Sequence, residues 1–314
     1  MHRYIIKRIL ALFIVMLVVG TVVFILMRLL PGNPAAMMLG PEATPADIAR
    51  LEEQMGLNQP VLVQIVDWFS SIIRGDLGNS IFLRMPVTQA IIMHMEATIL
   101  LTGLALTLSV VIGITAGVLA ASRHNSIFDQ AIMFFSSLGV AIPNFWLALM
   151  LVLIVALPLA YFPVAGYEKL VQVGFLRSIS YLLLPSIALA AGQAAIIARM
   201  TRATMLEVMQ NDYIRTARAK GLARWTVIFK HALKNAIIPT ITVIGLCFAN
   251  LMGGAVVTEQ VFNIPGIGRL LITAVLRRDY PLISGIVLYI AAAYVIINLI
   301  IDIVYVYMDP RIKL

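Results

Sequence analysis

The sequence predicts an all-α, polytopic integral membrane protein with six transmembrane helices, and three observations carry that prediction. The 314 residues are 61% hydrophobic and only 12% charged, with a mean hydropathy of +0.97, far outside the range of a water-soluble globular domain. The apolar residues fall into runs of roughly 20, the length needed to cross a bilayer. Lysine and arginine collect at the ends of those runs, where they fix orientation and meet anionic headgroups. The net charge of +8 therefore points to a membrane rather than to nucleic acid. The single cysteine, Cys247, excludes an intrachain disulfide and lies in an apolar run where it packs.

The first helix is expected from Ile9 to Leu30. His2, Arg3, Lys7 and Arg8 precede it, as in a signal peptide, but the unbroken stretch from Ile9 to Met27 is longer than a cleavable apolar region and reads as an anchor. Residues 31–96 form a separate acidic segment. In it Thr44, Pro45 and Asp47 give a hydroxyl cap, a first-turn proline and an acid at the positive end of a helix, and Gly56 supplies the stop. Val61, Leu62, Ile65, Val66, Phe69, Ile72 and Ile73 then recur at helical spacing up to Gly75. Two short helices follow from this pattern, either as a small external cap or as an amphipathic layer on the bilayer.

The remaining chain, 97–314, holds five further helices: Ala97 to Ala121, Phe128 to Leu159, Leu182 to Ala198, Ala236 to Val257, and Ile283 to Tyr307. With six crossings, the amino-terminal cluster, Arg123, the segment 200–235 and Arg311 with Lys313 all fall on one side, so both termini are expected in the cytoplasm. Gly113 and Gly117 lie one turn apart, and Ala188, Ala191, Gly192, Ala195 and Ala198 line the fourth helix. Such faces serve close helix packing, within the chain or with a second subunit.

Within the helices, ionisable groups are scarce. Arg28, Glu96 and Glu259 sit at predicted ends and Asp302 near the cytoplasmic end of the last helix, leaving the neutral Gln193, Asn250 and Asn298 as candidates to line a path. An ion-coupled carrier binds its coupling ion at buried charge, so this scarcity argues against one. No Gly-x-x-x-x-Gly-Lys-Ser/Thr run is present to cradle a nucleotide, and His-Glu-x-x-His and Gly-x-Ser-x-Gly motifs are absent. His2, His94, His124 and His231 are dispersed, and neither a metal site nor an enzyme is expected. A channel or membrane assembly protein remains as a rival class.

The densest charge lies between Arg199 and Lys234: Arg199, Arg202, Arg215, Arg218, Lys220, Arg224, Lys230 and Lys234 against Glu207 and Asp212. Asn211 or Asp212 caps a short helix that Gly221 terminates. A second follows, with Trp225, Ile228, Phe229, Ala232 and Leu233 as an apolar stripe and Arg224, Lys230, His231 and Lys234 facing away, until Pro239 enters the fifth membrane helix. The pattern fits a basic helix holding anionic lipid or a plug for a cleft on a cytosolic subunit. The Pro265-Gly266-Ile267-Gly268 turn after Glu259 is likewise either a tight reversal or a gate and docking surface for an external partner.

The run Asp212-Tyr213-Ile214-Arg215-Thr216-Ala217-Arg218-Ala219-Lys220-Gly221, followed by Lys230-His231-Ala232-Leu233-Lys234-Asn235-Ala236-Ile237-Ile238-Pro239, carries a family resemblance. So do Leu30-Pro31-Gly32-Asn33-Pro34, Gly56-Leu57-Asn58-Gln59-Pro60, Gly75-Asp76-Leu77-Gly78, Pro143-Asn144-Phe145-Trp146, Phe262-Asn263-Ile264-Pro265-Gly266-Ile267-Gly268-Arg269, Arg278-Asp279-Tyr280-Pro281 and Asp309-Pro310-Arg311. In this order and spacing the chain resembles the B-type permease subunits of dipeptide, oligopeptide and nickel ABC importers, with the type I importer permease fold.

The resemblance implies a heterodimer with a C-type permease, two cytosolic ATPases that hold ATP and magnesium, and an extracytoplasmic solute-binding protein, with no cofactor on this chain. It makes Thr216, Ala217, Arg218, Ala219, Lys220 and Gly221 the ATPase-coupling positions, with Ala217 and Ala219 small enough for close approach. It implies dipeptides or oligopeptides, glutathione included, as cargo, with a nickel chelate as the runner-up. The broad importer pattern has Glu-Ala-Ala, three residues and then Gly; here Arg215 and Thr216 stand in place of the Glu and first Ala.

Overall fold

A computed structural model describes residues 2–29, 33–39, 43–54, 56–159 and 161–308; of these, the side chains of residues 2–9, 34, 37, 38, 54, 302 and 304–308 are not described. Thirteen helices are distinguished among the described residues: α1 His2–Leu29, α2 Pro34–Leu39, α3 Pro45–Gln54, α4 Val61–Ile73, α5 Val87–Ser122, α6 Ile127–Ala141, α7 Asn144–Leu159, α8 Leu170–Val173, α9 Phe175–Val208, α10 Asp212–Ala219, α11 Arg224–Val261, α12 Ile267–Leu276 and α13 Tyr280–Met308. Contacts group the described residues of Met1–Met95 and Leu270–Ile296 into one unit, and those of Glu96–Arg269 and Ile297–Lys313 into a second.

In the first unit the capping signals act as expected. The Thr44 hydroxyl accepts from Asp47 N–H at 3.2 Å and donates to its carboxylate at 2.5 Å, which opens α3 and holds the Asp47 carboxyl below its ordinary range. Gly56 and Gly75 end their helices at φ +66° and +82°. Helix α4 lies against α1, where Trp68 meets Phe24 at a tilt and Phe69 edge-on, and Gly20 gives Phe69 room. A further short helix, α2, precedes the two expected from the sequence.

Asp279 organises the rest of this unit. Its fully buried carboxylate accepts from the Ser80 hydroxyl at 2.5 Å, from Phe82 N–H at 2.9 Å and from Leu282 N–H at 3.2 Å, the last capping α13. Pro281 occupies the first turn of α13, where the missing N–H costs nothing. Asp76 accepts from Gly78 N–H at 2.8 Å to shape the preceding turn. One buried acid thus ties the Arg278-Asp279-Tyr280-Pro281 motif to Ser80 and Phe82, just past the Gly75-Asp76-Leu77-Gly78 turn.

The second unit is a helical core in which α9 packs along α6, α7 and α11. Leu101, Leu182, Leu189, Leu251, Phe262 and Ile264 fill its centre. Gly113 and Gly117 of α5 meet α9 directly: a Cβ at 113 would lie 2.7 Å from Ile197, and one at 117 would lie 2.6 Å from the Ala198 carbonyl oxygen. The small-residue faces therefore serve packing within the chain.

Four expectations are corrected here. The third span is not one helix from Phe128 to Leu159: α6 and α7 meet at a bend of 102°, so among the described residues five helices are long enough to cross a membrane, or six with this broken pair taken as one span. Pro143 lacks an N–H and forces Ile142 out of helical geometry, to φ −79° and ψ 123°. The flanking helices run further into the segment 200–235 than expected, since α9 continues past Ala198 to Val208 and α11 begins at Arg224 rather than Ala236. Third, the stripe expected on the second loop helix is divided: Ile228 and Ala232 are buried, but Trp225 and Phe229 are 51% and 55% exposed. The helix widens into a π-turn over Val227–Ala232, so its faces there do not follow the 3.6-residue period from which the stripe was read. Pro239 falls inside the continuous α11 rather than at its start.

Candidate functional site

Helix α10 is an eight-residue element fastened to the second unit by one face. Asn211 adopts an extended N-cap geometry, Asp212 lies in the first turn, and Gly221 closes the far end at φ +77°. Ile214 and Ala217, one turn apart, are buried among Val118, Met205, Val227, Ile228 and Ala236. Burying a side chain such as Ile214 contributes about 1.5–3 kcal/mol relative to leaving it in water. The Asn235 amide of α11 donates to the Tyr213 hydroxyl at 2.8 Å, a second fixing point.

Of the positions singled out on this helix, Thr216, Arg218, Ala219, Lys220 and Gly221 face solvent. Ala217 does not: its methyl is turned into the chain's own core, so its small size serves the seating of α10 rather than the approach of another molecule. The Thr216 hydroxyl is returned to the Asp212 carbonyl at 3.0 Å. A Cβ at Gly221 would meet nothing within 4 Å, so glycine is required there by backbone conformation and not by space.

Two of the neighbouring cations are committed within the chain. Arg202 holds the buried Asp129 carboxylate with two bonds, Nε to Oδ1 at 2.6 Å and Nη2 to Oδ2 at 2.7 Å. Asn125 N–H adds a third at 3.0 Å, and the Ser126 hydroxyl caps α6 by accepting from Asp129 N–H at 3.3 Å. Arg224 donates to the Ser122 carbonyl at the end of α5, one of the carbonyls that a helix C-terminus leaves free. Charge alone identified both arginines but not their partners, which lie 73 and 102 residues away.

At the Pro265 turn, Glu259 is fully buried near the end of α11. Its carboxylate accepts from the Thr98 hydroxyl at 2.6 Å and from Arg269 N–H at 2.9 Å, with Gly268 N–H as a further donor. Ile267 N–H in turn donates to the Thr98 oxygen at 2.8 Å. The free N–H groups at the start of α12 thus close on Glu259 and Thr98, the arrangement a helix N-terminus offers to an acid. Gly266 is demanded by contact, since a Cβ there would sit 2.2 Å from the Glu259 carboxyl; at Gly268 it would sit 2.6 Å from Val256 Cα. Glu259, Gly266 and Gly268 are buried and Pro265 is exposed, a geometry that answers to the tight reversal.

Sequence reasoning missed Thr98, whose only signal was a hydroxyl in an apolar run. It also missed the Glu96 site, where the carboxylate accepts from Tyr167 at 2.7 Å and Leu170 N–H at 2.9 Å. Burial, and then the bond to Glu96, push the Tyr167 hydroxyl pKa upward.

The three candidate path residues have different surroundings. Gln193 is buried with its side-chain oxygen unbonded, Asn250 is exposed and Asn298 is half-buried with a partner. A groove of about 370 Å³ between α5, α6 and α9 is lined by Ile112, Phe135, Ile187, Ala191 and Ala195, among others, and by none of the three.

Two family models match nearly the whole chain: "Binding-prot-dependent transport system membrane comp, N-term" over residues 1–102, and "Binding-protein-dependent transport system inner membrane component" over residues 113–314. The chain belongs to this family of transport components. Members similar to it include a probable peptide ABC transporter permease protein of Sinorhizobium fredii, 44% identical over the full length of both chains. The dipeptide transport system permease protein DppB of Alkalihalophilus pseudofirmus is 43% identical, again over the full length of both. A solved inward-facing structure of the MetNI methionine ABC transporter aligns with a TM-score of 0.59 at 17% identity, over 70% of this chain and 97% of that one. The last likeness establishes a shared permease fold. This transport component is therefore an all-α multi-span membrane protein of the type I importer fold, and not an enzyme.

Proposed function

We propose that the chain is the B-type permease subunit of an ABC importer that moves dipeptides or oligopeptides, glutathione within that class, across the bacterial inner membrane. The observation that carries the reading is α10: a short basic helix, seated by Ile214 and Ala217 and tied by the Tyr213–Asn235 bond, with Thr216, Arg218, Ala219, Lys220 and Gly221 turned outward. A helix held in this way transmits a push instead of yielding to it. Docked on a cytosolic ATPase, it couples closure of the nucleotide-bound ATPase pair to a change of membrane conformation. Energy enters by differential binding: the ATP-bound ATPases must favour the permease in one conformation over the other. A C-type permease completes the path, an external solute-binding protein delivers the cargo, and ATP with magnesium resides on the ATPases. The peptide class rests on the names of relatives that are 44% and 43% identical over their whole length.

In this reading both termini and α10 lie in the cytoplasm. Thr216→Cys is the direct test, because Cys247 is the only native thiol and is buried. A membrane-impermeant maleimide is expected to label the variant in inside-out vesicles and not in intact cells. Labelling from outside intact cells would refute the assignment. Uptake of a dipeptide into proteoliposomes is further expected to require ATP and the binding protein, and to survive collapse of the ion gradients.

A further inference from the structure

Helix α11 is longer than a membrane crossing requires. It runs without a break from Arg224 to Val261, 38 residues or about 57 Å, against a hydrocarbon core of about 30 Å. Lys234 and Asn235 are the last exposed polar residues before the apolar stretch. From Ala236 to Val257 that stretch spans about 33 Å, which fills the core. Phe229 and Trp225 then stand about 10 and 15 Å outside it along the helix axis. The headgroup layer is only about 5–7 Å thick on each side. At the average tilt of about 20° both remain beyond it, and Trp225 does so even at about 40°.

In that aqueous zone the two rings are stacked, with centroids 5.8 Å apart and planes 25° from parallel. They are about half exposed, although a stacked Trp–Phe pair is costly to leave in water. Between Asn211 and Asn235 six cations, Arg215, Arg218, Lys220, Arg224, Lys230 and Lys234, stand against the single acid Asp212. All six are exposed. Lipid headgroups would explain the charge but not rings held outside their reach. A protein surface with an apolar cleft rimmed by acids explains both.

We infer that Trp225 and Phe229 are a second anchor for the cytosolic ATPase, inserting into an acid-rimmed apolar cleft beside the one that receives α10. The inference rests on the permease reading above and extends it from the coupling helix to the foot of α11. The same ATPase would then hold both parts of the α10–α11 unit, and aromatic anchors are where interfacial binding energy concentrates.

The test uses the heterodimeric permease in nanodiscs and the purified ATPase subunits of its importer. Trp225→Ala combined with Phe229→Ala is expected to weaken ATPase binding about tenfold or more. The loss should be equal in neutral phosphatidylcholine and in discs with one-third phosphatidylglycerol. Independently, Phe229→Cys labelled with bimane, in a Cys247→Ala background with a cysteine-free partner permease, is expected to shift its emission to the blue when the ATPases are added. Unchanged ATPase affinity in the double variant would overturn the anchor while leaving the permease reading intact. A bimane shift driven by phosphatidylglycerol and not by the ATPases would overturn it in favour of a lipid site. Failure of the unmodified permease to bind the ATPases at all would overturn both readings together.

Discussion

At Gly266 the absence of a side chain is a structural demand, because the space a methyl would need is already held by the Glu259 carboxylate at 2.2 Å. Gly266→Ala is expected to destabilise the permease by about 1–3 kcal/mol, the range for forcing extra volume into a packed site. Detergent-solubilised thermal unfolding measures it. Adding Glu259→Ala should recover part of the loss by vacating that volume, and no recovery would show that the strain lies elsewhere. Asp129 makes the complementary case. Its removal leaves Arg202, 23% exposed, without its bidentate partner, and a broken buried pair typically costs about 3–5 kcal/mol. Asp129→Ala with Arg202→Leu is expected to be more stable than Asp129→Ala alone. The turn residues at 265–268 were legible as a reversal because Pro and Gly constrain the backbone locally. Glu259 was not legible as the acid that closes it, because its donor Thr98 lies 161 residues away.

Among the elements, those read correctly are the ones that announce themselves at their ends. Thr44 with Asp47 opened α3, Gly56 and Gly75 gave stops, and Asn211 with Gly221 framed α10. What pattern misplaced were the interiors. Pro143 broke the third span, whereas Pro185 and Pro239 lie inside α9 and α11 without ending either helix. One residue type thus had opposite outcomes, which sequence pattern does not distinguish. The π-turn at Val227–Ala232 explains why Trp225 and Phe229 do not share a face with Ile228 and Ala232, as the expected apolar stripe required. For α10 itself, Ile214→Ala is expected to loosen the seat by about 2–5 kcal/mol, the usual cost of a buried Ile-to-Ala change. Transport per ATP hydrolysed should then fall while membrane insertion is retained. Gly221→Val, placing a branched residue at φ +77°, should act the same way. Full coupling in both variants would show that the rigidity of α10 is irrelevant.

For the whole chain, composition and run length were enough to place it in a bilayer, because about 20 apolar residues per crossing is a constraint of the solvent rather than of the fold. The count of six survives only with the broken pair taken as one span. The grouping of Leu270–Ile296 with the first 95 residues was invisible to periodicity, since it depends on Ser80 meeting Asp279 across 199 residues. Ser80→Ala leaves one oxygen of that buried acid short of a donor and is expected to cost about 1–3 kcal/mol. Thermal unfolding of the intact permease checks this, with Asp279→Asn as the milder comparison.

A backbone that is helical from Arg224 to Val261 has no slack between its outer foot and the far side of the membrane. Pivoting such a strut by about 5° carries one end some 5 Å past the other. Modest travel imposed at one end is therefore passed to the other, with no need for any segment between them to melt.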